Sequence, residues 1–153
     1  MHKPGQRVQI LMADDDPDDR MMADRAFQQY RLKNGVFFVE DGQELMDYLH
    51  HQGKYADAVQ FPLPDLILLD LNMPRKDGRE ALTEIKSDPT LRRIPVVILT
   101  TSQAEEDVLR SYDLGANAYI TKPVTFKGLA ETVRILNDFW FELVKLPNGA
   151  LGD

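Results

Sequence analysis

Short apolar runs alternate along this chain with stretches of helical spacing. The runs are Val8–Ala13, Val36–Val39, Leu66–Leu71, Ile94–Leu99 and, more weakly, Ala116–Ile120. Within Leu66-Ile67-Leu68-Leu69 no polar residue intervenes. A strand with that pattern is buried on both faces, as in a parallel sheet covered by helices. Between the runs, Met22, Phe27 and Tyr30 mark a first helix, opened by Asp16-Pro17 as cap and first helical residue. Leu45, Tyr48 and Leu49 mark a second, and Leu82 and Ile85 a third after Gly78. Val108, Leu109 and Tyr112 mark a fourth. It opens with the capping-box pattern Ser102-Gln103-Ala104-Glu105 and closes at Leu114-Gly115.

The fifth helix is the longest. Phe126, Leu129, Val133, Leu136, Trp140 and Leu143 form one stripe, and Pro147 and Gly149 stop it. From Phe126 to Lys145 such a helix runs ~30 Å at ~1.5 Å per residue. Ile135, Phe139, Phe141 and Val144 add apolar surface off the stripe. The order is therefore (βα)5, and right-handed crossovers make it a doubly wound α/β fold with a five-stranded parallel sheet. The segment from Gln52 to Pro64 is the longest loop candidate and reads as a surface excursion.

Composition narrows the classes. The 153 residues suit one domain, expected to hold its core over about residues 8–136 with an extended C-terminal helix and tail over 137–153. With 25 acidic against 18 basic residues the formal charge is −7, a poor basis for binding nucleic acid. There is no cysteine, which removes disulfides and thiol chemistry. No apolar run reaches the ~18–20 residues that span a bilayer, and the polar start is no signal peptide, so a cytoplasmic location without membrane contact is expected.

In open parallel sheets, sites lie beyond the carboxyl ends of the strands. Strand one ends in Asp14-Asp15-Asp16, strand three in Asp70 followed by Leu71-Asn72-Met73-Pro74, strand four in Thr100-Thr101-Ser102, and strand five in Thr121-Lys122-Pro123. Clustered carboxylates with a carbonyl make a hard oxygen site suited to Mg²⁺ or Mn²⁺, and a divalent cation relieves their repulsion. Asp70 can then act as a nucleophile toward phosphorus, with the Thr100 hydroxyl and Lys122 ammonium as donors to phosphoryl oxygens.

These motifs resemble the receiver domain of two-component response regulators. The residues that carry the resemblance are Ile10-Leu11-Met12-Ala13-Asp14-Asp15-Asp16-Pro17, Pro64-Asp65 through Asp70 to Pro74, Asp77-Gly78, Pro95 to Thr100, and Gly115 to Pro123. The resemblance implies a flavodoxin-like sheet of order 2-1-3-4-5. It implies that Asp70 accepts a phosphoryl group from a kinase phosphohistidine, and that Asp14, Asp15, Asp70 and the backbone carbonyl of Asn72 hold Mg²⁺ or Mn²⁺. Thr100 and Lys122 then bind phosphoryl oxygens, and Tyr119 serves as an aromatic switch. It also implies a cis Lys122–Pro123 peptide, phosphotransfer and autodephosphorylation without turnover of a separate substrate, and signalling by protein–protein contact with no DNA-binding module. Asp70-Leu71-Asn72-Met73-Pro74, Arg75 to Glu80, Lys86-Ser87-Asp88-Pro89, Leu99-Thr100-Thr101-Ser102 and Asn137 to Trp140 are similar to small stand-alone regulators that partner bacterial phytochromes, so the expected partner is a sensor histidine kinase of that kind. Where the family often has Ala or Gly after the Thr, this chain has the bulkier Thr101.

Blander readings stand beside these. Asp16 is read as a helix cap, and Asp18 and Asp19 as first-turn acids favourable to the helix dipole. His50 and His51 are adjacent and do not share a helix face, so they read as surface residues. Met12, Met21, Met22 and Met73 read as core or gap-filling residues. Tyr119 by itself is an ordinary strand aromatic. The surplus apolar face of helix five, with Phe139, Trp140, Phe141 and Val144, is expected to form a homodimer interface. A Mg²⁺-dependent phosphatase of the haloacid-dehalogenase type is the alternative, since it too forms an aspartyl phosphate at a strand end. There, however, the position of Asn72 needs a general acid, which an amide cannot supply.

Overall fold

The computed structural model describes residues 9–29, 35–136 and 138–139. Five strands and five helices alternate: β1 Ile10–Ala13, α1 Pro17–Gln29, β2 Val36–Val39, α2 Gly42–Leu49, β3 Leu66–Leu69, α3 Gly78–Ser87, β4 Val96–Thr100, α4 Glu105–Asp113, β5 Ala118–Thr121 and α5 Phe126–Leu136, with a short 3-10 turn at Gly53–Tyr55. The strands pair in parallel in the order β2-β1-β3-β4-β5, as expected. Register places Ile10 opposite both Val36 and Leu66, and Ile98 opposite Tyr119. All strands therefore end at one edge.

Alternation along each strand splits the core in two. Leu11, Ala13, Ile67, Leu69 and Ile98 face α2 and α3, where Leu45, Leu49, Leu82 and Ile85 are buried. Ile10, Met12, Leu66, Leu68, Val97 and Leu99 face α1 and α5, where Phe27, Leu129, Val133 and Leu136 are buried. Both faces of β1, β3 and β4 are thus dry, which is why those runs lack polar residues.

Several expectations need correction. β4 starts at Val96, because Pro95 has no N–H for the ladder, although its carbonyl still accepts from Ile67. β5 starts at Ala118, because Ala116 N–H is held by the Ser111 carbonyl at the end of α4. The capping box at Ser102 does not form: α4 begins at Glu105, its cap residue Ala104 makes no side-chain cap, and the Ser102 hydroxyl bonds Asp107 instead. The apolar positions of α4 make no buried stripe, since Leu109 is 59% and Tyr112 48% exposed and only Ser111 is buried. The Lys122–Pro123 peptide is trans. The loop from Gln52 to Pro64 is anchored: Tyr55 is buried, and its ring packs at a tilt against Tyr48 and edge-to-face against Phe61, at 5.1 and 4.9 Å between centroids. Gly115 takes φ +107° after α4, as the Leu114-Gly115 stop predicts. Val8, Tyr30, Trp140, Phe141, Leu143 and Val144, and with them the end of the expected last helix and the tail, lie outside the described residues.

Candidate functional site

Helix caps fix the loops at the carboxyl edge. The Asp16 carboxylate accepts from the Asp18 N–H at 2.9 Å and opens α1 beside β1. Asp41 and Asp77 cap α2 and α3 through the Glu44 and Glu80 N–H groups at 2.8 and 3.0 Å. Gly78, the first residue of α3, lies so close to the backbone of Asp70 that a Cβ there would sit 2.2 Å from the Asp70 carbonyl oxygen. Its N–H donates to the Leu71 carbonyl at 2.9 Å. The loop carrying Asp70 is therefore pressed against the start of α3.

Five of the expected residues meet at this edge. Oxygens of Asp14, Asp15 and Asp70 gather within 4.8 Å of one another. Asp14 and Asp70 are buried and Asp15 is exposed, so the cluster opens on one side. Each carboxylate oxygen of Asp70 has a donor. Oδ1 accepts from the Thr100 hydroxyl at 2.8 Å and the Asn72 N–H at 3.1 Å, and Oδ2 accepts from the Lys122 ammonium at 2.9 Å. Lys122 also donates to Asp14 at 2.8 Å and Asp19 at 2.9 Å. The Lys122 N–H is tied to the Thr100 carbonyl at 2.7 Å, which sets β4 and β5 at one height.

The charges here are strongly coupled. Burial lifts the Asp14 carboxyl above its usual range, against the Lys122 hydrogen bond and the Asp16 N–H. Burial alone would pull the Lys122 ammonium down, but hydrogen bonds to Asp14, Asp19 and Asp70 prevail and hold it above the ordinary lysine range. A small hard cation suits this donor set, because it neutralises the carboxylates that one ammonium only partly offsets.

Tyr119 is half-buried on β5, and its hydroxyl donates to the Ser102 carbonyl at 2.9 Å. The Ser102 hydroxyl in turn donates to Asp107 at 2.6 Å, and Arg79 of α3 reaches Asp107 at 2.9 Å. Those two donors hold the Asp107 carboxyl below its usual range. Beside the cluster, an open cleft of about 790 Å³ runs between the loops after β1 and β3 and the 3-10 turn. It shares only Asp15 with the cluster and is a neighbour of the site. Across it Arg75, at φ +64°, pairs with Asp41 at 2.9 Å.

Comparison with known proteins bears on this arrangement. Residues 10–134 match the family model of the response regulator receiver domain. This chain belongs to that family. The receiver is 44% identical over 138 residues to the response regulator Rcp1 of Synechocystis sp., covering 90% of this chain and 92% of Rcp1. It is similar to the phosphorylated cyanobacterial phytochrome response regulator RcpA, with a TM-score of 0.86 and 46% identity over 93% of this chain and 99% of that one. It is also similar to the Mn²⁺-bound form of Rcp1, with a TM-score of 0.83 and 43% identity over 92% and 99%. The hydrolase alternative finds no support: the matched family is a different one, and Asn72 offers no general acid. Among the described residues no helix of the receiver is long and apolar enough to cross a membrane.

Two participants escaped the sequence reading. Asp19 serves Lys122 as well as the helix dipole, and Asp107 joins Ser102 to Arg79. The only signal for the first was the surplus of acids in one helical turn. His50 is exposed, whereas His51 is half-buried and bonded to the Phe61 carbonyl at 2.9 Å.

Proposed function

We propose that the chain works as a stand-alone phosphoacceptor in which Asp70 takes a phosphoryl group from a phosphohistidine of a sensor kinase. The observation that carries this reading is the Asp70 carboxylate, buried at the end of β3, with Thr100 and Lys122 on its two oxygens and Asp14 and Asp15 alongside. An oxygen of Asp70 forms the new O–P bond as the N–P bond to imidazole breaks, and the ring nitrogen keeps that electron pair. The Thr100 hydroxyl and Lys122 ammonium move from the carboxylate onto the phosphoryl oxygens, where charge builds. Asp14, Asp15, Asp70 and the Asn72 carbonyl are the residues to hold Mg²⁺ or Mn²⁺, which supplies charge neutralisation at the transferring group. The same site releases the phosphoryl group to water in autodephosphorylation.

Tyr119 reports the state of Thr100 as the aromatic switch, since its hydroxyl donates to the carbonyl of Ser102, two residues after Thr100. Met21, Met22 and Arg25 on α1 are candidate kinase contacts, and Met21 is 56% exposed. A bacteriophytochrome is the kinase class we favour, because RcpA is a phytochrome response regulator. The chain spans 92% of Rcp1 and 99% of RcpA, which supports reading residues 1–153 as a single receiver. Homodimerisation through Phe139, Trp140, Phe141 and Val144 completes the reading; Phe139 is 49% exposed.

The test is labelling by a phosphorylated histidine kinase with Mg²⁺. Wild type acquires acid-stable, hydroxylamine-labile phosphate, and Asp70→Asn acquires none. Equal label on Asp70→Asn refutes the assignment. Sedimentation of a chain truncated after Leu136 tests the dimer: the full chain sediments as a dimer and the truncated chain as a monomer, whereas two monomers at micromolar concentration overturn it.

A further inference from the structure

A lysine ammonium has three N–H donors and sits on a flexible four-carbon stem, so its direction is set by its acceptors. On Lys122 all three acceptors are carboxylates: Asp14, Asp19 and Asp70. Asp14 and Asp70 belong to the three-carboxylate cluster within 4.8 Å, and Asp19 stands outside it. When Asp14 and Asp70 serve a cation and an incoming phosphoryl group, Asp19 is the partner Lys122 keeps. Its side chain is half-buried on the first turn of α1, while its neighbour Asp18 is exposed. A merely dipole-stabilising acid has no need to reach β5, whereas Asp19 spans from α1 to the residue after β5.

We propose that Asp19 is a positioning residue for phosphotransfer. It anchors one N–H of Lys122 throughout and leaves the other two to aim at phosphoryl oxygens. This inference rests on Asp70 being the phosphoacceptor.

The experiment follows the full chain in single-turnover labelling by phosphoramidate across Mg²⁺ concentrations, with Mg²⁺ binding measured separately by calorimetry. Asp19→Ala is expected to slow maximal labelling at saturating Mg²⁺ by about tenfold or more, the scale of one charge-assisted hydrogen bond lost at the transition state. Its Mg²⁺ dissociation constant stays within about twofold of wild type, because Asp19 is no ligand. Asp19→Asn keeps an acceptor oxygen and falls between the two. Asp18→Ala removes the same charge from the same helical turn and labels like wild type. The proposal is overturned by wild-type labelling of Asp19→Ala, by equal slowing in Asp18→Ala, or by a Mg²⁺ affinity that shifts as much as the rate. Failure of the underlying reading looks different: wild type takes no label, or Asp70→Asn labels as well as wild type.

Discussion

Replacing Lys122 by Met isolates the electrostatic frame of the site. The Lys122 side chain is 9% exposed and its partners Asp14 and Asp70 are 0% and 7% exposed, so the ammonium offsets two buried carboxylates. Removing one partner of a buried pair costs ~3–5 kcal/mol, because the other charge is left uncompensated. Asp14, already lifted by burial, can take up a proton and limit that cost, so the lower end applies, about 3 kcal/mol. For a domain of this size each kcal/mol moves Tm by ~2–4 °C, so Lys122→Met should melt about 6–12 °C below wild type without divalent cation. Mg²⁺ should then recover more in the variant than in wild type, since Lys122 no longer competes for Asp14 and Asp70. The general scale is ~2.7 kcal/mol at one hundred times the dissociation constant. The assay is thermal unfolding by circular dichroism with and without Mg²⁺. A variant that melts within about 2 °C of wild type, or a Mg²⁺ shift no larger than the wild-type one, refutes the reasoning.

Three further outcomes are expected. Gly78→Ala drives a Cβ to 2.2 Å from the Asp70 carbonyl, and denaturant unfolding should show a loss of about 3 kcal/mol or more, at the upper end of overpacking costs. Tyr119→Phe removes one hydrogen bond to the Ser102 carbonyl and should lower stability by about 1 kcal/mol in the same assay. Acid titration should separate two classes of carboxylate. Burial alone would raise Asp41 and Glu44, but Arg75 on the first and the Tyr55 hydroxyl on the second outweigh it and hold both below their usual range. Their stabilising contribution is present above the unfolded values of ~3.9–4.3 and is lost as pH falls through the lower folded ones. Asp14, shifted upward, works in the opposite sense. Urea midpoints between pH 5 and pH 3 should therefore fall less steeply in Asp41→Asn than in wild type; equal slopes count against the assignment.

The strands were legible because both sheet faces are covered, so Leu66–Leu69 and Val96–Leu99 carry no polar residue. The site was legible because parallel pairing brings every strand end to one edge, and Asp14, Asp70, Thr100 and Lys122 sit at those ends. What sequence missed is tertiary. Tyr55 and Phe61 look like loop residues until Tyr48 and Phe37 supply their aromatic neighbours. Ser102 looks like a cap until Asp107 takes its hydroxyl. Asp19 looks like any first-turn acid, since the helix dipole gives an equally good reason for it.

Helix α4 differs from its neighbours in how it is secured. With only Ser111 buried, it draws little hold from the core, and the Arg79–Asp107–Ser102–Tyr119 chain of contacts clamps its amino-terminal end. Its local opening free energy therefore lies well below that of the central strands, and amide exchange should reach α4 long before β1 or β3. Polar clamps of this sort are traded by small shifts in hydrogen-bond geometry, while buried apolar faces are not. The receiver thus joins a core closed by apolar packing to one surface helix secured mainly by polar contacts at its start.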